Sequence, residues 1–251
     1  MRIFDCFTFF QELDLLKIRC EELKELDITH VLVEAPTTFT GNKKALHFHE
    51  NRKHFSNYNI HQFNAHLPNN GNAWDNEKAQ RNGIIMALSM MRAEDDDIVI
   101  ISDLDEIPKA EVIKNYAPDD ELTALKIDTY RYYLNCLEGK QNWIMPRICK
   151  FKYLKDKTPD DVRNSGYEHT IGNAGWHFSY IGSEQDVRYK IESFSHTELN
   201  TDEFKDKLKY KMDTCQSLFG DDFWQVVDID DNLPKYIRDN QQEFQHIIFK
   251  K

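Results

Sequence analysis

Residues 99–108 read VIISDLDEIP, an aliphatic run that stops in three carboxylates, Asp103, Asp105 and Glu106, and then meets a proline. Four apolar positions in a row, 98–101, mark a central strand covered on both faces, since a half-exposed strand would alternate. Carboxylates this close repel one another, so a positive group belongs among them. Pro108 suits the first turn of a helix over 109–116, because the donor it lacks would be unpaired there anyway. The carboxylates are therefore expected between a strand end and a helix start.

The residues upstream alternate strand and helix. Strands are predicted at 2–9, 30–35, 59–63 and 97–102, with helices at 12–26 and 74–92. This alternation predicts an α/β fold with a mostly parallel, Rossmann-like sheet flanked by helices, in which ligands bind at the carboxyl ends of the strands. Downstream, LTALKIDTYRYYLN, NWIMPRICKFKYL and GWHFSYI read as strands of a mixed or antiparallel extension. Helices are predicted at 184–194, 202–219 and 233–249. No Gly/Ser/Pro linker separates the halves, so 1–251 reads as one domain with sub-regions 1–117 and 118–251.

The 32 basic and 43 acidic residues give a net charge of −11 with no basic stripe, which argues against a nucleic-acid partner. No apolar run is long enough to span a bilayer and the start has no signal-peptide layout, so a cytoplasmic protein is expected, with peripheral membrane association left open. Cys6, Cys20, Cys136, Cys149 and Cys215 are widely spaced and form no CxxC, which suggests buried free thiols.

Alternate residues of an extended segment point the same way, so Asp103 and Asp105 can share a ligand while Leu104 turns inward. Two hard oxygen donors suit Mg²⁺ or Mn²⁺, which keep positions open for water and substrate phosphate. The acidic chain agrees: a like-charge pair at 4 Å costs roughly 4 kcal/mol at an effective dielectric near 20, and a divalent cation reverses that locally. The alternative is a solvated turn with acids at a helix N-terminus.

A strand ending in DxD, preceded by a helix carrying QRN (Gln80, Arg81, Asn82), resembles the nucleotide-sugar half of a GT-A glycosyltransferase. More narrowly, DCFTFFQELDLLKIRCEEL, VEAPTTFTGNKKAL, QRN, VIISDLDEIP, NAGWHFSYIG and LPKYIRDN, in that order over residues 4–240, resemble glycosyltransferase family 17. The resemblance implies a GT-A-type fold and an inverting transferase that moves a sugar, GlcNAc first among candidates, from a UDP-sugar to a glycan acceptor.

The same resemblance implies that Asp105 binds the metal bridging the donor diphosphate, with Asp103 on the metal or the ribose. Glu34 would lie near the uracil or ribose, and Arg81 and Asn82 would support the nucleotide or the DxD loop. His177 is the candidate for a further metal ligand, its alternative being a core histidine hydrogen-bonded in a strand. Trp176 could stack on a sugar or belong to the core. An inverting reaction needs a general base, and Glu106, Glu168, Glu184 and Asp186 are available for it.

Other signals read as structural. HFHE (His47, His49, Glu50) lacks a metal-site signature and suits a half-exposed segment. The acids at 95–97 read as a solvated turn, and the tyrosines of YRYYLN as sheet packing or an acceptor floor. His196 could approach the site. A metal-dependent phosphohydrolase and a catalytically silent nucleotide-sugar-binding module are the competing functions. A haloacid-dehalogenase-type hydrolase fits poorly, because it would carry DxD after its first strand.

Overall fold

The computed structural model describes residues 1–117, 121–217 and 220–250. The chain begins with β1 (Ile3–Thr8), α1 (Leu13–Leu23), β2 (Ile28–Glu34), α2 (His47–Asn51), β3 (Ile60–Asn64), α3 (Ala73–Met90) and β4 (Ile98–Asp103). It continues through β5 (Glu106–Pro108), α4 (Ala110–Lys114), β6 (Thr123–Leu125), β7 (Ile127–Arg131), β8 (Cys136–Trp143) and β9 (Arg147–Lys150). It ends with α5 (Pro159–Asn164), β10 (His169–Ile171), β11 (Gly175–Ser179), α6 (Glu184–Ser193), α7 (Asp202–Asp213), β12 (Gln225–Val226) and α8 (Lys235–Asp239).

The first sheet runs β10-β6-β9-β4-β1-β2-β3. Its β3-β2-β1-β4 part is parallel, with Thr8 level with Val33 on one side and Asp103 on the other. This order is common in open α/β sheets, and the crevice of such a sheet opens where the order reverses, outside the ends of β1 and β4. Alternation in β1 separates its faces: Phe4 and Cys6 pack with Ile84 and Leu88 of α3, while Phe7 packs with Leu15 and Ile18 of α1. Leu15, Leu16, Ile18 and Leu23 are at most 1% exposed, each contributing roughly 1.5–3 kcal/mol through burial. The fold is thus the α/β one expected, a parallel-dominated sheet flanked by helices.

A second sheet, β12-β8-β7-β11-β5, stands beside the first. Strand β4 belongs to one sheet and β5 to the other, so the turn at Leu104 and Asp105 is the corner between them. Strands β6, β9 and β10 return to the first sheet, so residues beyond 117 complete the layer that the first half begins.

The predicted elements of the first half lie within three residues of the observed ones at each end. Four readings need correction. Pro108 ends the edge strand β5, where a missing donor costs nothing, and α4 starts only at Ala110. The predicted helix over 233–249 is the short α8 followed by a 3₁₀ turn at Gln245–Ile247. Both the backbone N–H and the side-chain amide of Asn240 donate to the Tyr236 carbonyl, and the latter bond competes with the helical ladder. Helix α7 stops at Asp213; the predicted end at Phe219 lies outside the described residues. Asp97 is not a solvated turn residue, being 2% exposed and bonded to the Arg2 backbone and guanidinium.

All five cysteines are buried free thiols. Among the described residues no helix is long and apolar enough to cross a membrane. HFHE is the half-exposed segment expected, and it folds into α2, so its histidines do not share one side. Tyr130 and Tyr132 are buried in the core, which settles YRYYLN as packing at those two positions.

Gly175 explains part of the GWHFS pattern. It pairs with Pro108, and a Cβ placed on it would lie 2.2 Å from the Ile107 carbonyl oxygen and 2.9 Å from the Pro108 Cα. These are backbone atoms that cannot swing aside. Gly175→Ala is expected to lower stability by about 1–3 kcal/mol in urea unfolding, whereas Gly166→Ala, which meets nothing within 4 Å, should leave it nearly unchanged.

Candidate active site

The corner turn is fixed from behind by Arg19, a fully buried arginine on the apolar face of α1. Its Nη1 donates to the carbonyl oxygens of Asp103, Leu104 and Glu106 at 3.0, 3.1 and 2.9 Å. Its Nε and Nη2 donate to the Asp5 carboxylate at 2.8 and 2.5 Å, and Nη2 also reaches Ser102 Oγ at 2.7 Å. Burial alone would raise the Asp5 carboxyl, but Arg19 and His30 hold it well below the usual carboxylate range.

In front of the turn the carboxylates divide into two groups. Asp103 accepts from Thr8 Oγ1 at 2.9 Å and pairs with Arg81 at 3.2 Å and Arg163 at 2.8 Å. Glu106 takes both arms of Arg163 at 2.6 Å, the indole N–H of Trp143 at 2.5 Å and the Asp103 backbone N–H at 2.8 Å. Burial opposes ionisation of both acids, and Arg163 above all overrides it, so both sit below the ordinary range.

Asp105 belongs to the second group. Its Oδ2 accepts from Lys190 Nζ at 3.0 Å, and Lys190 is shared with Glu12 at 2.9 Å. Its Oδ1 faces His177 Nε2 at 3.9 Å, too far for a hydrogen bond. The His177 ring packs on Trp143 at 4.4 Å between centroids, and its Nδ1 is buried without a hydrogen-bond partner. Burial pushes the imidazole below its usual value, with Asp105 and Glu106 opposing.

Both groups line a cavity of about 740 Å³, together with Lys44, Arg131 and residues of the 194–199 segment. That volume suits a small-molecule ligand. Of the residues singled out in the sequence, Asp103, Asp105, Glu106, Arg81 and His177 meet here, and His196 stands at the same wall. Four others are placed elsewhere. Glu34 is fully buried behind Lys44, which it holds at 3.1 Å, so the lysine rather than the acid faces the cavity. Asn82 accepts from the Asp160 backbone N–H at 3.0 Å and so fixes α5, which carries Arg163. Trp176 points to the other side of β11 from His177, in the core, with its indole N–H on the Asn232 carbonyl at 2.6 Å. Glu184 pairs with Arg188 at 3.0 Å on α6, away from the cavity wall.

The other candidate bases are also engaged. Glu168 accepts from the Leu122 N–H at 2.8 Å, and Asp186 closes a capping box with Ser183 at the start of α6. Sequence reasoning missed Arg19, Arg163, Lys190 and Glu12. An aspartate inside the apolar strand β1 and an arginine on the apolar face of α1 were the readable signs of the first; the others are far from DLDE in the chain and leave no periodic trace.

Removing Arg163 leaves the buried Glu106 carboxylate without its cation, while Asp103 keeps Arg81 and Thr8. Arg163→Met is expected to cost about 3–5 kcal/mol at pH 7. The pH dependence should change sign as well. In the parent the Asp103 and Glu106 values are depressed, so their contribution is complete above the unfolded carboxylate range near pH 4 and is lost as pH falls below it. In the variant Glu106 loses its main counter-charge and burial raises it, so the deficit should shrink from pH 7 to pH 5. Urea unfolding at the two pH values checks this, and an equal deficit at both would contradict it.

The comparisons with known proteins bear on this site. No curated protein matches the chain. A crystal structure of residues 1–349 of S. aureus TarS is similar at 13% identity, covering 85% of this chain and 71% of that one, with a TM-score of 0.44. The model of glycosyltransferase family 17 matches residues 1–230. The chain therefore belongs to glycosyltransferase family 17.

Proposed function

We propose that this glycosyltransferase moves a sugar, N-acetylglucosamine by the family resemblance, from a UDP-sugar to a glycan hydroxyl with inversion, with Mn²⁺ or Mg²⁺ held by Asp105 and His177. The observation that carries the metal part is the gap between Asp105 Oδ1 and His177 Nε2. At 3.9 Å they do not bond to each other, so a carboxylate oxygen and an imidazole nitrogen face one open space, a donor pair that would suit Mn²⁺ or Mg²⁺. Among the described residues no three His, Cys, Asp or Glu side chains gather as a metal cage. Two protein donors suit a cation that completes its shell with substrate phosphate and water.

A cation held by Asp105 and His177 would supply positive charge for the departing nucleotide diphosphate. Burial disfavours the charged imidazole, and a neutral ring can offer a lone pair through Nε2. Asp103 has both oxygens engaged and serves to hold Arg81 and Arg163 at the cavity wall. Lys44, Arg131 and Lys190 line the same cavity, each paired with an acid, so an anionic donor would find N–H donors among the carboxylates. Lys190 on Asp105 Oδ2 fixes the carboxylate so that Oδ1 stays turned toward His177.

Calorimetry of UDP-GlcNAc with Mn²⁺ and with EDTA, on the parent, Asp105→Ala and His177→Ala, tests the proposal. Binding should need the metal and weaken by more than about tenfold in each variant. Equal affinity in EDTA would overturn the metal arrangement. Failure of the parent to bind UDP or UDP-GlcNAc under metal-replete conditions would overturn the donor assignment.

A further inference from the structure

The cavity has a second end, away from the DLDE corner. Trp74 lines it and is 49% exposed, whereas Trp176 is buried, Trp143 is bonded to Glu106 and Trp224 packs on Tyr132. What sets Trp74 apart from the other exposed apolar side chains is that it lines the cavity, where a half-exposed indole face can cover an apolar partner. The ring is also held in place. Trp74 sits in the first turn of α3, capped by Asn72, and meets the His196 ring edge-on at 4.7 Å.

His196 is itself oriented. Its Nδ1 lies 2.7 Å from Glu198 Oε1, and its ring lies parallel to Phe194 at 6.1 Å between centroids. The carboxylate on Nδ1 orients the ring and leaves Nε2 free of that contact. Glu198 and Asp75 line the same end, adding carboxylate oxygens that accept hydroxyl protons. This end is tied to the corner through Glu77, which takes the Ser195 hydroxyl and pairs with Arg81 at 2.8 Å, while Arg81 pairs with Asp103.

We propose that Trp74, His196 and Glu198 form the subsite for a pyranose ring of the acceptor glycan, with Trp74 as the stacking platform and His196 Nε2 as the partner of one ring hydroxyl. An apolar ring face beside fixed hydroxyl acceptors matches a sugar, which presents C–H groups on one face and O–H groups around its edge. It does not match a second nucleotide, whose phosphates the Glu198 and Asp75 carboxylates would repel. The assignment of the bound ring to an acceptor rests on the glycosyl-transfer reading above; the binding of a ring at Trp74 stands on the geometry alone.

The test is saturation-transfer NMR with the methyl glycosides of N-acetylglucosamine, mannose and galactose on the full chain, with thermal melting as a folding check. At least one glycoside should receive saturation from the parent protein. Trp74→Ala should weaken that binding about tenfold, the scale of one aromatic contact, and Trp74→Phe should restore most of it, which loss of a merely structural contact would not predict. His196→Ala should weaken it as well and change which ring protons receive saturation. Absence of binding to all three glycosides by the parent, or equal binding by Trp74→Ala, overturns the subsite. The UDP calorimetry above is a separate readout, so a failed donor and a failed acceptor subsite are told apart.

Discussion

One buried guanidinium holds the corner on which the site stands. Arg19 spends its donors on Asp5, Ser102 and three successive-turn carbonyls, groups that no solvent could satisfy in the core. A buried charge is tolerable only when paired and hydrogen-bonded, and a turn that exposes carbonyls inward needs a donor to meet them. The two demands are answered by the same side chain. The planar fork matters here, because an ammonium at this place could not address a carboxylate and a row of carbonyls together.

The carboxylates of DLDE need positive charge, and the protein supplies most of it. Arg81 and Arg163 answer Asp103, Arg163 answers Glu106, and Lys190 answers Asp105 on one oxygen. These cations come from α3, α5 and α6, which are remote from one another in the chain. The first sheet, two of its covering helices and the connection to the second sheet are therefore joined electrostatically at one point. What stays open is the gap between Asp105 Oδ1 and His177 Nε2.

The parallel half of the fold was legible because it is local: apolar runs, a helical period in 74–92 and carboxylates at a strand end are all short-range patterns. Asp103, Asp105, Glu106, Arg81 and His177, which line one cavity, were singled out for the same reason, since each belongs to a quoted motif. Arg163 and Lys190 were not, because a lone basic residue on a helix reads as solvent-facing until the fold brings an acid to it. Glu34 and Trp176 are kept from the cavity by their facing. Position along the chain places a residue near the strand end, but which side of the sheet its side chain takes, and whether a lysine such as Lys44 intervenes, depends on packing. The helix read over 233–249 failed on Asn240, whose side chain bonds to the backbone it was expected to extend.

The corner also limits what the chain length there can be. Thr8 must stay level with Asp103 in one sheet while Glu106 stays level with His177 in the other. Two residues, Leu104 and Asp105, cover that passage, with Leu104 in the core and Asp105 in the cavity. One residue more or fewer would move every side chain of β5 to the opposite face of its sheet, taking Ile107 out of the core. The spacing of the acids is thus a joint with no slack. Variation in length belongs to the far end of the cavity, where the 194–199 segment is not paired into either sheet.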